Sequence, residues 1–261
     1  LEFRRVLFRS AMADAILEAR ALSKNFGGVA ANTGIDFVLL PREVHAVIGP
    51  NGAGKTTFLS SLFGEVTPDT GQILLNGTDV TRASVPERVR HGLARSYQVT
   101  SVFPGFSVLE NLAFGIRART GTASRLWRKA VLDANEMDLA AALLRRVGLS
   151  GRSGAEVAGL SHGEQRQLEV ALALSTTPRV LLLDEPLAGL GIDESRRIVD
   201  LLSTLPGQIS IVLVEHDMDA VFALAHRITV LVEGRVIASA APADIREDPL
   251  VQRAYLGEGH S

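Results

Sequence analysis

A strand-length apolar run, Val44–Ile48, leads directly into Gly49-Pro50-Asn51-Gly52-Ala53-Gly54-Lys55-Thr56, and a helix-compatible stretch follows from Thr57. No other feature of the 261-residue chain constrains its fold as strongly. The octapeptide fits G-x-x-x-x-G-K-[ST] at every fixed position. Its glycines permit positive φ angles, so the backbone curls and successive N–H groups, with the N-terminus of the next helix, point partial positive charge inward. The segment Gly49 to Thr57 is thus expected to grip nucleotide phosphates, with Lys55 on the β- and γ-phosphates and the Thr56 hydroxyl on magnesium. The loop alone leaves kinases, GTPases, motors and transporters open.

Two more runs, Val180–Leu183 and Ile209–Val214, are apolar with little alternation, as expected of parallel strands covered on both faces. The first ends in Asp184-Glu185-Pro186, which places two carboxylates at the carboxyl edge of the sheet, where open α/β sheets bind ligands. Neighbouring strand residues point to opposite sides, so two roles are available: Asp184 in the magnesium shell, Glu185 positioning and polarising a water. Pro186 disfavours helix at Glu185. Ile16–Leu22 and Ile35–Leu40, separated by Phe26-Gly27-Gly28, read as a β-rich opening. Asn76-Gly77 and Glu233-Gly234 are hairpin turns. Between Val108 and Val147 the pattern becomes helical, with Leu132, Leu139, Leu143, Leu144 and Val147 near 3.6-residue spacing, as in a lobe inserted into the sheet domain.

Composition narrows the classes. Hydrophobic residues at 46% against 21% charged are those of an ordinary folded protein. A formal net charge of −2 provides no overall basic footprint for nucleic acid. The absence of cysteine removes disulfides, thiolate nucleophiles and cysteine-ligated clusters. No apolar run approaches the roughly 20 residues of a membrane helix. Leu1 to Ser10 interleaves Arg4, Arg5 and Arg9 with apolar residues, so residues 1–12 are read as a leader outside the fold, with Met12 as a natural start.

Leu160-Ser161-His162-Gly163-Glu164-Gln165 stands upstream of the strand that carries the carboxylates. Ser161-x-x-Glu164 is also a capping box for a helix through Gln165–Leu174. With this motif in place the chain resembles the ATP-binding-cassette (ABC) family over nearly all of Ala15 to Gly257. The resemblance implies an α/β P-loop NTPase (RecA-like) core with an antiparallel β subdomain and an inserted helical subdomain. It divides the chain into 13–98 with 161–240 (ATP-binding core), 99–160 (helical subdomain) and 241–261 (C-terminal helix and tail). It further implies that Ser161, Gly163 and Glu164 address the γ-phosphate of ATP held by a second subunit. Phe26 resembles the residue that stacks on adenine, Gln98 the glutamine that contacts magnesium and the helical lobe, and His216 the histidine that contacts the γ-phosphate and orients the water. The family usually has glycine where His162 stands, glutamine where Glu164 stands, and aspartate where Gly191 ends the loop Ala188-Gly189-Leu190-Gly191.

The resemblance narrows further on Phe26-Gly27-Gly28, the long stretch from Gln98 to Leu160, Glu215-His216-Asp217-Met218 and Tyr255-Leu256-Gly257-Glu258. These look like the cytoplasmic ATPase of branched-chain amino acid importers, with the urea and amide importers as close relatives. The implied cofactors are ATP and Mg2+. The implied partners are a second cassette, identical or not, integral membrane permease subunits and, indirectly, a substrate-binding protein, with no nucleic acid, at the cytoplasmic face of the inner membrane. Lipopolysaccharide export and a soluble non-transport cassette factor stay open as alternatives. Arg117, Arg119, Arg125, Arg128 and Lys129 surround Trp127, as either a solvated helix face or one turned to anionic lipid or a permease loop.

Overall fold

The structure, a computed structural model, describes residues 14–96, 102–120 and 134–256. Its strands in chain order are β1 (Leu17–Phe26), β2 (Val29–Leu39), β3 (Val44–Ile48), β4 (Thr70–Leu75), β5 (Thr78–Asp79), β6 (Leu93–Ser96), β7 (Val180–Asp184), β8 (Ser210–Val214), β9 (Arg227–Val232) and β10 (Arg235–Ala240). The helices are α1 (Lys55–Phe63), α2 (Val85–Arg90), α3 (Val108–Thr120), α4 (Ala134–Arg146), α5 (His162–Ser175), α6 (Ile192–Ser203), α7 (Met218–Leu224), α8 (Pro242–Glu247) and α9 (Pro249–Leu256).

Four strands form an antiparallel sheet in the order β2-β1-β4-β5. The β4–β5 turn is made by Asn76 at φ 50° and Gly77 at φ 76°, the paired positive angles that a two-residue hairpin needs. Glu233 at 48° and Gly234 at 72° close the β9–β10 hairpin in the same way.

The six-stranded sheet has the order β10-β9-β3-β8-β7-β6 and is parallel except for β10. All five residues of β3, β7 and β8 are buried. Alternate side chains serve opposite faces: Leu181, Leu183, Ile211 and Leu213 join the core beneath the helical lobe, whereas Val180, Leu182, Val212 and Val214 join the core beneath the antiparallel sheet. Two-sided burial is why these strands read as unbroken apolar runs. Register pairs Val214 with both Val47 of β3 and Asp184 of β7, so the three strands end together and bring Gly49, Glu185 and Glu215 to one edge.

Two strands differ from the sequence reading. The short β6, with Arg95 inside it, carries no strand signature, and β9 is an arm of a hairpin that also pairs parallel with β3. In the helical lobe Leu112 and Ile116 of α3 and Leu143 and Leu144 of α4 bury against Leu168 and Ala171 of α5. Arg117 is buried and its Nη2 lies 3.3 Å from Glu136 Oε2, so it ties α3 to α4 and belongs to neither a solvated nor a lipid-facing surface. Leu132, Arg125, Trp127, Arg128 and Lys129, the Arg119 side chain and the leader 1–12 lie outside the described residues. Among the described residues no helix is long and apolar enough to cross a membrane.

Candidate functional site

The phosphate loop is closed by contacts that only glycine permits. A Cβ on Gly49 would lie 2.0 Å from the Leu231 carbonyl oxygen, and one on Gly54, at φ 93°, would lie 2.1 Å from that of Ala31. Gly54 is the N-cap of α1 and offers no side-chain cap, which leaves the first turn's N–H groups to face the loop. Pro50 O accepts from Ala53 N at 3.1 Å, and Ala53 O in turn accepts from Gly234 N at 3.1 Å, fastening the loop to the β9–β10 turn. Lys55 is only 5% exposed, and its Nζ donates to the carbonyls of Gly49 at 2.6 Å and Pro50 at 2.9 Å. Its ammonium group is thus held against the first two carbonyls of the loop. Asn51, Gly52 and Thr56 are exposed, and Thr57 is half-buried.

Asp184 ends β7, and Glu185 follows it outside the strand in a left-handed conformation, so the two carboxylates take different partners. Asp184 is 3% exposed, and its Oδ2 accepts from Arg95 Nη2 at 2.7 Å. Burial pushes its carboxyl above the ordinary range, against the opposing pull of Arg95. Oδ1 is buried with no hydrogen-bond partner among the described residues, an orphan acceptor of the kind left for a cation or a cation's water. Glu185, at φ 48°, turns the other way, and His216 Nε2 donates to its Oε1 at 2.8 Å. Both groups reach solvent at the sheet edge, with side chains 26% and 42% exposed.

The expected capping box forms at the start of α5: Glu164 N donates to Ser161 Oγ at 3.2 Å and Ser161 N to Glu164 Oε2 at 2.9 Å. Glu164 also pairs with Arg152 Nε at 2.9 Å. The serine hydroxyl and the Gly163 amide both point at one acceptor, Glu194 Oε1, at 2.8 and 3.1 Å. Glu194 sits in the first turn of α6, and its other oxygen accepts from Gly191 N at 3.4 Å. These donors, Ser161 first, hold the Glu194 carboxyl below its usual range. A Cβ on Gly163 would stand 2.8 Å from that carboxylate oxygen.

Phe26 lies at the β1–β2 turn, 49% exposed, with Lys24 Nζ 5.3 Å from its ring centre. Gln98 lies outside the described residues. Sequence reasoning missed Arg95, whose Nη1 also reaches Ser60 Oγ and Glu65, because an arginine in a four-residue strand looks like a surface residue. It also missed Arg88, fully buried, which donates to the carbonyls of Ser61 at 2.7 Å and Leu62 at 2.6 Å near the end of α1. Burial lowers its pKa to about 10, and the cation sits at the negative end of the helix that begins at the phosphate loop.

Residues 33–188 match the family model described as ABC transporter, and residues 235–261 match the one described as branched-chain amino acid ATP-binding cassette transporter. The chain is 37% identical over 256 residues to the high-affinity branched-chain amino acid transport ATP-binding protein LivG of Escherichia coli K12, covering 95% of this chain and all of LivG. It is 34% identical over 254 residues to the corresponding protein BraF of Pseudomonas aeruginosa, again covering 95% of this chain and all of BraF. The crystal structure of the ADP conformation of MJ1267, an ATP-binding cassette of an ABC transporter, superposes with a TM-score of 0.83 at 27% identity, over 94% of this chain and 99% of that one. With a phosphate loop, two diverging carboxylates, a capped signature helix and these matches over nearly its whole length, the chain belongs to the ABC transporter family as an ATP-binding, ATP-hydrolysing cassette subunit.

Proposed function

We propose that this cassette energises an importer of branched-chain amino acids or related small polar solutes such as urea or amides, at the cytoplasmic face of a membrane. The observation that carries the cargo class is the full-length identity to LivG together with the match of residues 235–261. The chemistry is supported by the Glu185–His216 contact at the same sheet edge as the phosphate loop. Glu185 Oε1 is held by the imidazole, so the carboxylate has a fixed direction from which to orient a water. Lys55 exchanges its two loop carbonyls for phosphate oxygens, and Phe26 offers its exposed ring to adenine. Thr56 and the orphan Oδ1 of Asp184 would hold magnesium, which when bound supplies charge neutralisation for the phosphates.

Pairing of two cassettes completes each site in this reading. Ser161 and Gly163 of one subunit meet the γ-phosphate on the other, and the incoming phosphate displaces the Glu194 carboxylate that occupies both donors. The permease is assigned to an open groove between the sheet core and helical lobe, lined by Phe63, Val85, Val89, Phe103, Phe114 and Leu172, which is mostly apolar and bordered by exposed Phe103 and Phe106.

The test is to isolate the membrane proteins that co-purify with the tagged chain and to measure ATP-driven uptake of leucine, valine and urea in proteoliposomes. Uptake of one of these solutes, abolished by Glu185→Gln, is expected. Outward movement of lipopolysaccharide, or ATP-dependent binding to RNA without any membrane partner, would replace this reading with another.

A further inference from the structure

Glu215 is 3% exposed, and among the described residues no lysine, arginine or histidine forms an ion pair with it. It spends its carboxylate on backbone instead. Oε1 accepts from Leu187 N at 2.7 Å, and Oε2 accepts from His216 N at 2.8 Å and Asp217 N at 3.3 Å. Leu187 lies two residues after Glu185 in the loop leaving β7, whereas His216 and Asp217 lie in the loop leaving β8. One side chain thus ties together the two loops that carry the Glu185–His216 pair.

The geometry points to Glu215 as a positioning residue for hydrolysis, one that sets the distance between Glu185 and His216 without touching nucleotide. The neighbouring strands cannot do this unaided. Sheet register ends at Asp184 and Val214, and just beyond it Glu185 N donates to Val214 O, at the end of β8, at 2.8 Å. That bond fixes the root of Glu185 but not the course of the chain at His216. The carboxylate supplies the remaining constraint, because its two oxygens are acceptors only and can hold N–H groups of both loops at once. Glutamine has the same shape but replaces one acceptor with an NH2 donor, which would face a backbone N–H. One loop would then be released, and the 2.8 Å contact between Glu185 and His216 would lengthen.

This inference rests on the proposed roles of Glu185 and His216. The test is a double-mutant cycle on the full-length protein, with Glu215→Gln, His216→Ala and the double variant, reading kcat and KM for Mg-ATP beside nucleotide affinity. Glu215→Gln is expected to lower kcat roughly ten- to hundredfold, the scale of a displacement of about an ångström at reacting groups, while KM and nucleotide affinity stay within about twofold. In the His216→Ala background it should cost little more, since it acts through His216. A general structural role predicts instead that the two losses multiply and that nucleotide affinity falls, and either result overturns the proposal. Should Glu215→Gln fail to fold, Glu215→Asp, which keeps both acceptor oxygens on a shorter stem, carries the same cycle. If His216→Ala and Glu185→Gln both hydrolyse ATP at the wild-type rate, it is the functional reading that fails, and the proposal with it.

Discussion

The Glu194 carboxylate is seated on the Ser161 hydroxyl at 2.8 Å and on the Gly163 amide at 3.1 Å, the two donors that the proposed pairing would turn toward phosphate. An anion already present must leave before another can bind. Glu194→Ala, placed in a Glu185→Gln background to prevent turnover, should lower the Mg-ATP concentration needed for pairing by about three- to fivefold, the scale of an ionic contact screened by solvent. Light scattering or sedimentation against ATP concentration measures it. An unchanged or raised midpoint would mean that Glu194 does not compete for these donors.

Lys55→Ala removes the cation from the loop while leaving the fold of α1 to Phe58, Leu59 and Leu62, which are buried beneath it. Mg-ATP affinity is expected to fall by more than about tenfold, since a charge-assisted contact to phosphate is lost. Equilibrium binding of a fluorescent ATP analogue reports this directly, and unchanged affinity would contradict the assignment of the loop.

Gly54 and Gly52 separate two costs of a methyl group in the loop. Both have positive φ, 93° and 78°, but a Cβ on Gly54 runs into Ala31 O whereas one on Gly52 meets open space. Gly54→Ala should therefore cost more than about 2 kcal/mol of stability and Gly52→Ala about 1 kcal/mol, the strain of a left-handed alanine alone. Urea denaturation distinguishes the two, and equal losses would show that the Ala31 contact yields freely.

His45 gives the fold an acid-side weakness. Its Nδ1 donates to Val38 O at 2.9 Å, and its Nε2 accepts from Thr229 Oγ1 at 2.7 Å, inside the core. Burial, aided by the charge of Arg227, takes its pKa down to about 3. In the unfolded chain the ring titrates at about 6.5, so between these values the unfolded state binds more protons and stability falls as pH drops, by up to about 1.4 kcal/mol per unit. Below about pH 3 both states are protonated and the dependence ends. His45→Gln, which cannot titrate, should show a flatter stability curve between pH 6.5 and 4; parallel curves would assign the acid loss to other groups.

What the sequence made legible follows a physical division. The phosphate loop, the strand bearing Asp184 and Glu185, and the Ser161–Glu164 box depend on residues adjacent along the chain, and so does each hairpin turn that demands positive φ at Asn76-Gly77 or Glu233-Gly234. Arg95, Glu194 and Glu215 depend on partners 89, 33 and 28 residues away. Locally they pass for a surface arginine, an acid favouring a helix N-terminus and the neighbour of a histidine. Arg117 misled in the opposite sense, because its run of basic neighbours implied a charged face while Glu136 on the next helix draws it inward. Chemistry held by contiguous motifs was readable, whereas chemistry assembled across strands and loops had to wait for the fold.

In the proposed mechanism Glu185, held by His216, positions the attacking water while Lys55 and the loop bind nucleotide. Phosphate release and Mg-ATP-dependent pairing measured together on Glu185→Gln test it most directly. Release is expected to fall at least about a hundredfold with pairing retained or strengthened, because binding is left intact and only the chemical step is lost. Phosphate release at the wild-type rate would contradict it.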